Sequence, residues 1–220
     1  MATDMVTNSA RAEILRRIRA AKGGVAGANA ARAGWDSIER NYKRAASRTR
    51  EVTLDLLEDR LRDYDALVMR VEEAEVAAAV AKMMRDRGVR RLVVPSGLRA
   101  EWLPGGFEFV VDDGLSAAEL DGMDGVMTGA TVAIAETGTV VLQNTAGQGR
   151  RAVTLVPDYH LCVVRVQDVV ETVPEAIARL GWTAELATTF VSGPSATADI
   201  EMTRIKGVHG PRFLDVILAG

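Results

Sequence analysis

Between Ser192 and Pro211 the chain reads SGPSATADIEMTRIKGVHGP, a run of small, turn-forming and ionisable residues where a core strand would be apolar. Ser192, Gly193, Pro194 and Ser195 make a turn rich in hydroxyls and backbone donors, Thr197 adds another hydroxyl, and Gly207, His209, Gly210 and Pro211 close the segment with a second turn. Asp199 and Glu201 stand two residues apart, which on an extended chain turns both carboxylates to one face. A ligand-holding face and a solvated strand face both account for that spacing. The G-x-S-x-G elbow of serine hydrolases is absent, so Ser192, Ser195 and Thr137 suit holding a ligand better than attacking one.

A second group sits in AIAETGTVVL, where Glu136, Thr137, Gly138 and Thr139 interrupt two apolar runs. A carboxylate at a strand end is a candidate general base, nucleophile or ligand clamp; it is equally a hairpin residue that caps nearby amides. Asn144, Thr145, Gly147, Gln148 and Gly149 lead into Arg150 and Arg151, a loop with amides and two guanidinium groups suited to a phosphate or carboxylate. It matches neither the Walker A loop nor the GxGxxG dinucleotide fingerprint, and a solvated loop with surface arginines reads the same way. The two histidines, His160 and His209, lie beside turns. Each could carry a proton near neutral pH or be held by its backbone neighbours. No metal-ligand spacing is present, so no metal site is expected.

These groups need a scaffold, and the pattern around them alternates. Helical spacing at Leu54, Leu57 and Leu61 is followed by a strand at 66–71, an Ala-rich helix at 73–87 that stops at Gly88, and strands at 91–94 and 107–111. Pro95, Ser96 and Gly97 follow a strand at its carboxyl end, where open α/β sheets place ligand loops. Ser116 with Glu119 has capping-box spacing. The second half is strand-rich around one helix at 174–180, which predicts an α/β fold with a mixed sheet flanked by helices. Ahead of this body, Ser9 can cap a helix carrying Ile14, Leu15 and Ile18. A Gly/Ala-rich stretch to Gly34 reads as a linker, and Trp35, Ile38 and Tyr42 repeat helical spacing. Residues 1–50 are therefore expected to form an appended helical arm with its linker, and residues 51–220 one domain.

With 220 residues and 48% hydrophobic content the chain can bury a full core. A net charge of -3 without long single-sign runs argues against nucleic acid as a partner, and no apolar run approaches the length of a membrane span. The single cysteine, Cys162, can form no internal disulfide and fits a cytosolic address.

AETGTVVL at 135–142, the His160 segment, SGPSATADIE at 192–201 and GVHGP at 207–211 resemble, in order and spacing, the LUD-domain family of lactate utilization proteins. The helical amino end shares the likeness loosely, while the specific motifs lie in the second half. The resemblance implies a NagB/RpiA/CoA-transferase-like fold with a Rossmann-like core. It also implies a cytoplasmic role in bacterial oxidation of L-lactate to pyruvate, beside other subunits, one of them an iron–sulfur protein. Cofactors are then expected in the partners and none in this chain, which a lone cysteine suits. Among fold relatives, type I CoA-transferases carry a catalytic glutamate in S-E-N-G, to which Ala135, Glu136, Thr137 and Gly138 are similar with two departures. Two readings follow. One is a non-redox subunit that holds a small anionic ligand or docks a partner. The other is a free-standing enzyme on a CoA ester, phosphosugar or nucleotide, with Glu136 as base or nucleophile, Arg150 and Arg151 as clamp, and His160 or His209 as proton carrier.

Overall fold

The computed structural model describes residues 2–21, 28–197, 205–206 and 210–220, in two compact units, 1–42 and 43–220. The first unit holds α1 (Ala2–Ala21) and α2 (Ala28–Asp36). Helix α1 begins before Ser9, which therefore does not cap it. The expected linker is helical over Ala28–Asp36, because alanine, the best helix former, outweighs the lone Gly34 there. Ile38 and Tyr42 fall beyond α2 and do not continue it.

The second unit follows the alternating pattern: α3 (Arg50–Asp63), β1 (Leu67–Val71), α4 (Val76–Arg87), β2 (Arg91–Pro95), β3 (Glu108–Asp112), α5 (Ala117–Asp121) and β4 (Gly125–Thr128). Then come β5 (Val132–Ile134), β6 (Thr139–Gln143), β7 (Tyr159–Arg165), β8 (Val169–Val170), α6 (Val173–Leu180), β9 (Thr188–Val191), β10 (Ala196–Thr197), β11 (Ile205–Lys206) and β12 (Phe213–Ala219). The expected mixed sheet resolves into two principal sheets. Six strands in the order β1-β12-β7-β4-β2-β3 are parallel throughout. Four strands in the order β8-β5-β6-β9 mix parallel and antiparallel pairs. A small antiparallel pair joins β10 to β11.

Period-two alternation along β7 and β12 explains the layering. Cys162, Val164, Val216 and Leu218 pack with Leu54, Leu57 and Leu61 of α3 and with the small sheet's Ala133, Val140 and Leu142. Their neighbours Leu161, Val163, Ile217 and Ala219 pack with Val76, Val80 and Met84 of α4. The small sheet's other face meets Ala176 and Leu180 of α6. Each fully buried leucine of α3 contributes about 1.5–3 kcal/mol. Capping boxes start α5 (Ser116 with Glu119) and α6 (Thr172 with Glu175), fixing where the chain turns into each helix.

Division of the chain after Tyr42 has a local cause. Residues 43–48 belong to the body because they are tied to Glu171, as described below.

Candidate functional site

A cavity of about 250 Å³ opens at the amino ends of β7 and β12, lined by Arg151, Thr154, His160, Leu214 and the Ser192–Ala196 turn. His160, the second residue of β7, is buried, and its Nε2 lies 2.8 Å from Thr128 Oγ1. Burial and then the nearby Arg151 charge push it down to about 4, so the ring stays neutral across the physiological range. Surroundings of this kind argue against a proton shuttle and for a structural wall.

Arg151 opens a short helical turn and donates Nη1 to Thr154 O and Oγ1, both at 3.0 Å. It forms no ion pair among the described residues, and the remaining guanidinium donors can serve an anion. Gly193 adopts φ +80 and lies against Tyr64, just past the end of α3. A Cβ there would sit 2.9 Å from Tyr64 Cγ, so only glycine lets the turn seat on the body. Ser195 N donates to Pro211 O at 2.8 Å, which pins the two turns flanking the segment to each other.

Hydroxyls connect this cavity to the Glu136 turn. Ser192 Oγ is 2.8 Å from Thr139 Oγ1, and Thr139 Oγ1 is 2.7 Å from Thr137 Oγ1. The turn itself rests on α3, because Gly138 at φ +58 leaves room for Arg60, whose Cβ would meet an added methyl at 2.8 Å.

Glu136 points elsewhere. Its Oε1 accepts from Lys43 Nζ at 3.0 Å and Arg48 Nη1 at 3.4 Å, and both cations also hold Glu171. Glu171 is fully enclosed. It accepts from Ser47 N and Arg48 N at 2.8 Å each, from Arg48 Nη1 at 2.7 Å, and from Lys43 Nζ. Burial alone would raise its carboxyl, but the Lys43 ammonium and the two amides overcome this and hold it at about 2. Glu136 is thus part of a four-charge clasp that closes the strap at 43–48 onto the small sheet.

Several expected residues lie apart from the cavity. Arg150 forms a bidentate pair with Asp112, 2.8 Å on each arm, and so clamps the loop after β3. Asn144 is fixed through its backbone N to Ala187 O and lines a neighbouring cavity of about 140 Å³ that shares Arg151. Thr197 pairs with Ile205 through the backbone. Asp199, Glu201 and His209 fall outside the described residues. Among the described residues no cluster of His, Cys, Asp and Glu could hold a metal.

Spacing did not point to Glu171, Lys43 and Arg48, nor to Asp215, whose carboxylate is enclosed in β12 and accepts from Arg87 at 2.6 Å and Tyr159 Oη at 2.9 Å. A charge inside FLDVILA, and another directly after Val169–Val170, were the available signals.

The LUD domain model matches residues 6–219. A Deinococcus radiodurans protein named lactate utilization protein C is 45% identical over 182 residues, covering 81% of this chain and 85% of that protein. An Escherichia coli K12 protein named YkgG is 30% identical, covering 67% of this chain and 71% of its own length. A crystal structure of a DUF162-family protein from Deinococcus radiodurans superposes with a TM-score of 0.70 at 42% identity, covering 79% of this chain and 100% of that one.

Proposed function

Because the chain belongs to the LUD-domain family, we propose that it is a non-redox subunit of a cytoplasmic bacterial system oxidising L-lactate to pyruvate, in which iron–sulfur partner proteins carry the electrons. The likeness to lactate utilization protein C supports the lactate part. The observation that carries the subunit part is the state of Cys162. It is fully buried, and burial pushes its thiol up to about 12. A lone thiol that keeps its proton offers no thiolate to a cluster, which suits a subunit whose iron–sulfur chemistry lies in partner chains.

The cavity beside Arg151 gives such a subunit something to hold. Its volume suits a small organic acid, Arg151 supplies the charge for a carboxylate, and the Ser192 and Ser195 hydroxyls supply neutral donors. Trp35, Ile38 and Tyr42 are exposed on the arm, and exposed aromatics favour a docking role.

The test is anaerobic affinity purification from lactate-grown host cells, followed by lactate-dependent dye reduction. Expected is activity only in a complex containing an iron–sulfur protein. Dye reduction by the isolated chain, or recovery without any partner under lactate growth, overturns the reading.

A further inference from the structure

The opposite end of the six-stranded sheet carries a feature that the lactate reading does not use. From His160 to Arg165 β7 spans about 16 Å at strand rise, and where it and β12 end, a cavity of about 460 Å³ is lined by Arg50, Arg99, Arg165 and Gln167, with the acidic Glu73 also in its wall. A second cavity of about 160 Å³ adjoins it, sharing Arg99 and Arg165, with Gly129 and Gly147 in its wall.

Each arginine comes from a different element: the start of α3, the loop after β2, and the end of β7. Each also keeps donors to spare. Arg50 gives Nη1 to Val169 O at 2.8 Å and has no ion pair among the described residues. Arg165 places Nε and Nη2 on one oxygen of Asp168, both at 2.8 Å. Arg99 uses Nε on Glu101 at 2.7 Å and Nη1 on Glu73 at 3.0 Å. Arg179, 3.9 Å from Asp168, adds a further cation behind them. Glu73, Glu101 and Asp168 oppose these guanidinium groups, and Arg50 is the one without an ion pair among the described residues; burial and Arg179 draw its basicity down while Asp168 draws it up. An anion would relieve that cost.

Three guanidinium groups lining one cavity from different elements fit a group with several oxygens in tetrahedral array better than a planar carboxylate, which one guanidinium fork satisfies. The combined space is in the range of nucleotide-sized ligands. Its place at the carboxyl ends of parallel strands is where open α/β sheets leave a crevice.

We infer that this groove is a second ligand site, which takes the phosphate of a nucleotide-sized phosphate ester on Arg50, Arg99 and Arg165 and lays the body of the ester along the glycine-walled channel. It is independent of the lactate cavity at the other end of the strands.

The experiment is calorimetric titration of the full chain with pyrophosphate, ADP and citrate at fixed ionic strength. It is repeated on Arg50→Gln, Arg165→Gln and Lys82→Gln, the last removing a charge from the exposed face of α4. Thermal unfolding of each variant confirms that it is folded. Expected is saturable binding of pyrophosphate, tighter binding of ADP, and at least a tenfold loss of both in Arg50→Gln and Arg165→Gln but not in Lys82→Gln. Absence of saturation by either phosphate probe at millimolar concentration overturns the inference. So does undiminished binding in both groove variants, or citrate binding equal to ADP.

Discussion

Gly193→Ala puts the construction of the cavity beside Arg151 to a direct test. Gly193 holds φ +80, a region that costs a non-glycine residue about 1–2 kcal/mol. The new methyl would also enter the space of the Tyr64 ring root, 2.9 Å from Cγ and nearer to Cβ, and overpacking of this kind costs about 1–3 kcal/mol. The sum, about 2–5 kcal/mol, corresponds to a fall in Tm of roughly 4–20 °C for a chain of this size. Thermal unfolding followed by circular dichroism reads it, with Gly105→Ala as reference, since a Cβ at Gly105 meets nothing within 4 Å. A double-mutant cycle with Tyr64→Gly separates the two costs. Removing the ring together with its Cβ, the nearest atom to the new methyl, relieves the steric part and leaves the backbone part, so a coupling of about 1–3 kcal/mol is expected. If Gly193→Ala unfolds within about 2 °C of the parent, the turn is not seated on Tyr64 and the cavity wall described here is misbuilt.

Asp215→Ala should destabilise by about 3–5 kcal/mol, because Arg87 and Tyr159 lose the buried acceptor they share; a urea midpoint close to that of the parent would contradict the enclosed cluster. His160 titrates near 4 when folded and about 6.5 when unfolded. Below pH 6.5 the unfolded chain takes up a proton that the folded one refuses, so stability present above 6.5 is lost as pH falls towards 4. The loss between pH 7 and pH 5 is about 2 kcal/mol. The Glu171 contribution lies lower, lost as pH falls from 4.5 to about 2. Urea midpoints at pH 7 and pH 5 should therefore differ in the parent and converge in His160→Gln; a parent midpoint that does not move refutes the buried neutral ring. Cys162 should resist a thiol reagent at pH 8 until denaturant is added, then react once per chain; rapid labelling of the folded protein would show that its burial is wrong.

Strands buried on both faces leave near-continuous apolar runs, which is why β2, β4, β7 and β12 and the packed helices are legible from spacing alone. β8 has two residues and β10 has two, too few to carry a period. The Gly/Ala stretch misleads because its glycines signal a linker while Ala28–Ala33 propagates a helix. Within the site, the hydroxyls of Thr139 and Ser192 are visible as a composition but not as a pair, since 53 positions separate them. Glu136 looks poised for chemistry because its partners, Lys43 and Arg48, lie 93 and 88 positions away. His160 has the same character: the turn beside it is local, whereas the burial that keeps it neutral, and its Thr128 contact, come from neighbouring strands.

The row of hydroxyls from Ser192 through Thr139 to Thr137 has a direction as well as a length. Each oxygen brings a single proton, so the proton that one hydroxyl gives limits what its neighbour can give, and Thr139 has the Thr137 carbonyl, 3.4 Å away, as a further acceptor. An occupant that accepts from Ser192 uses that proton, and Thr139 must then give to Ser192 and Thr137 to Thr139. An occupant that donates to Ser192 leaves the Ser192 proton free to turn to Thr139, and the row can then reverse. The electrical sense of whatever fills the cavity is thereby written into the turn bearing Glu136 by proton rotation alone, with no heavy atom displaced.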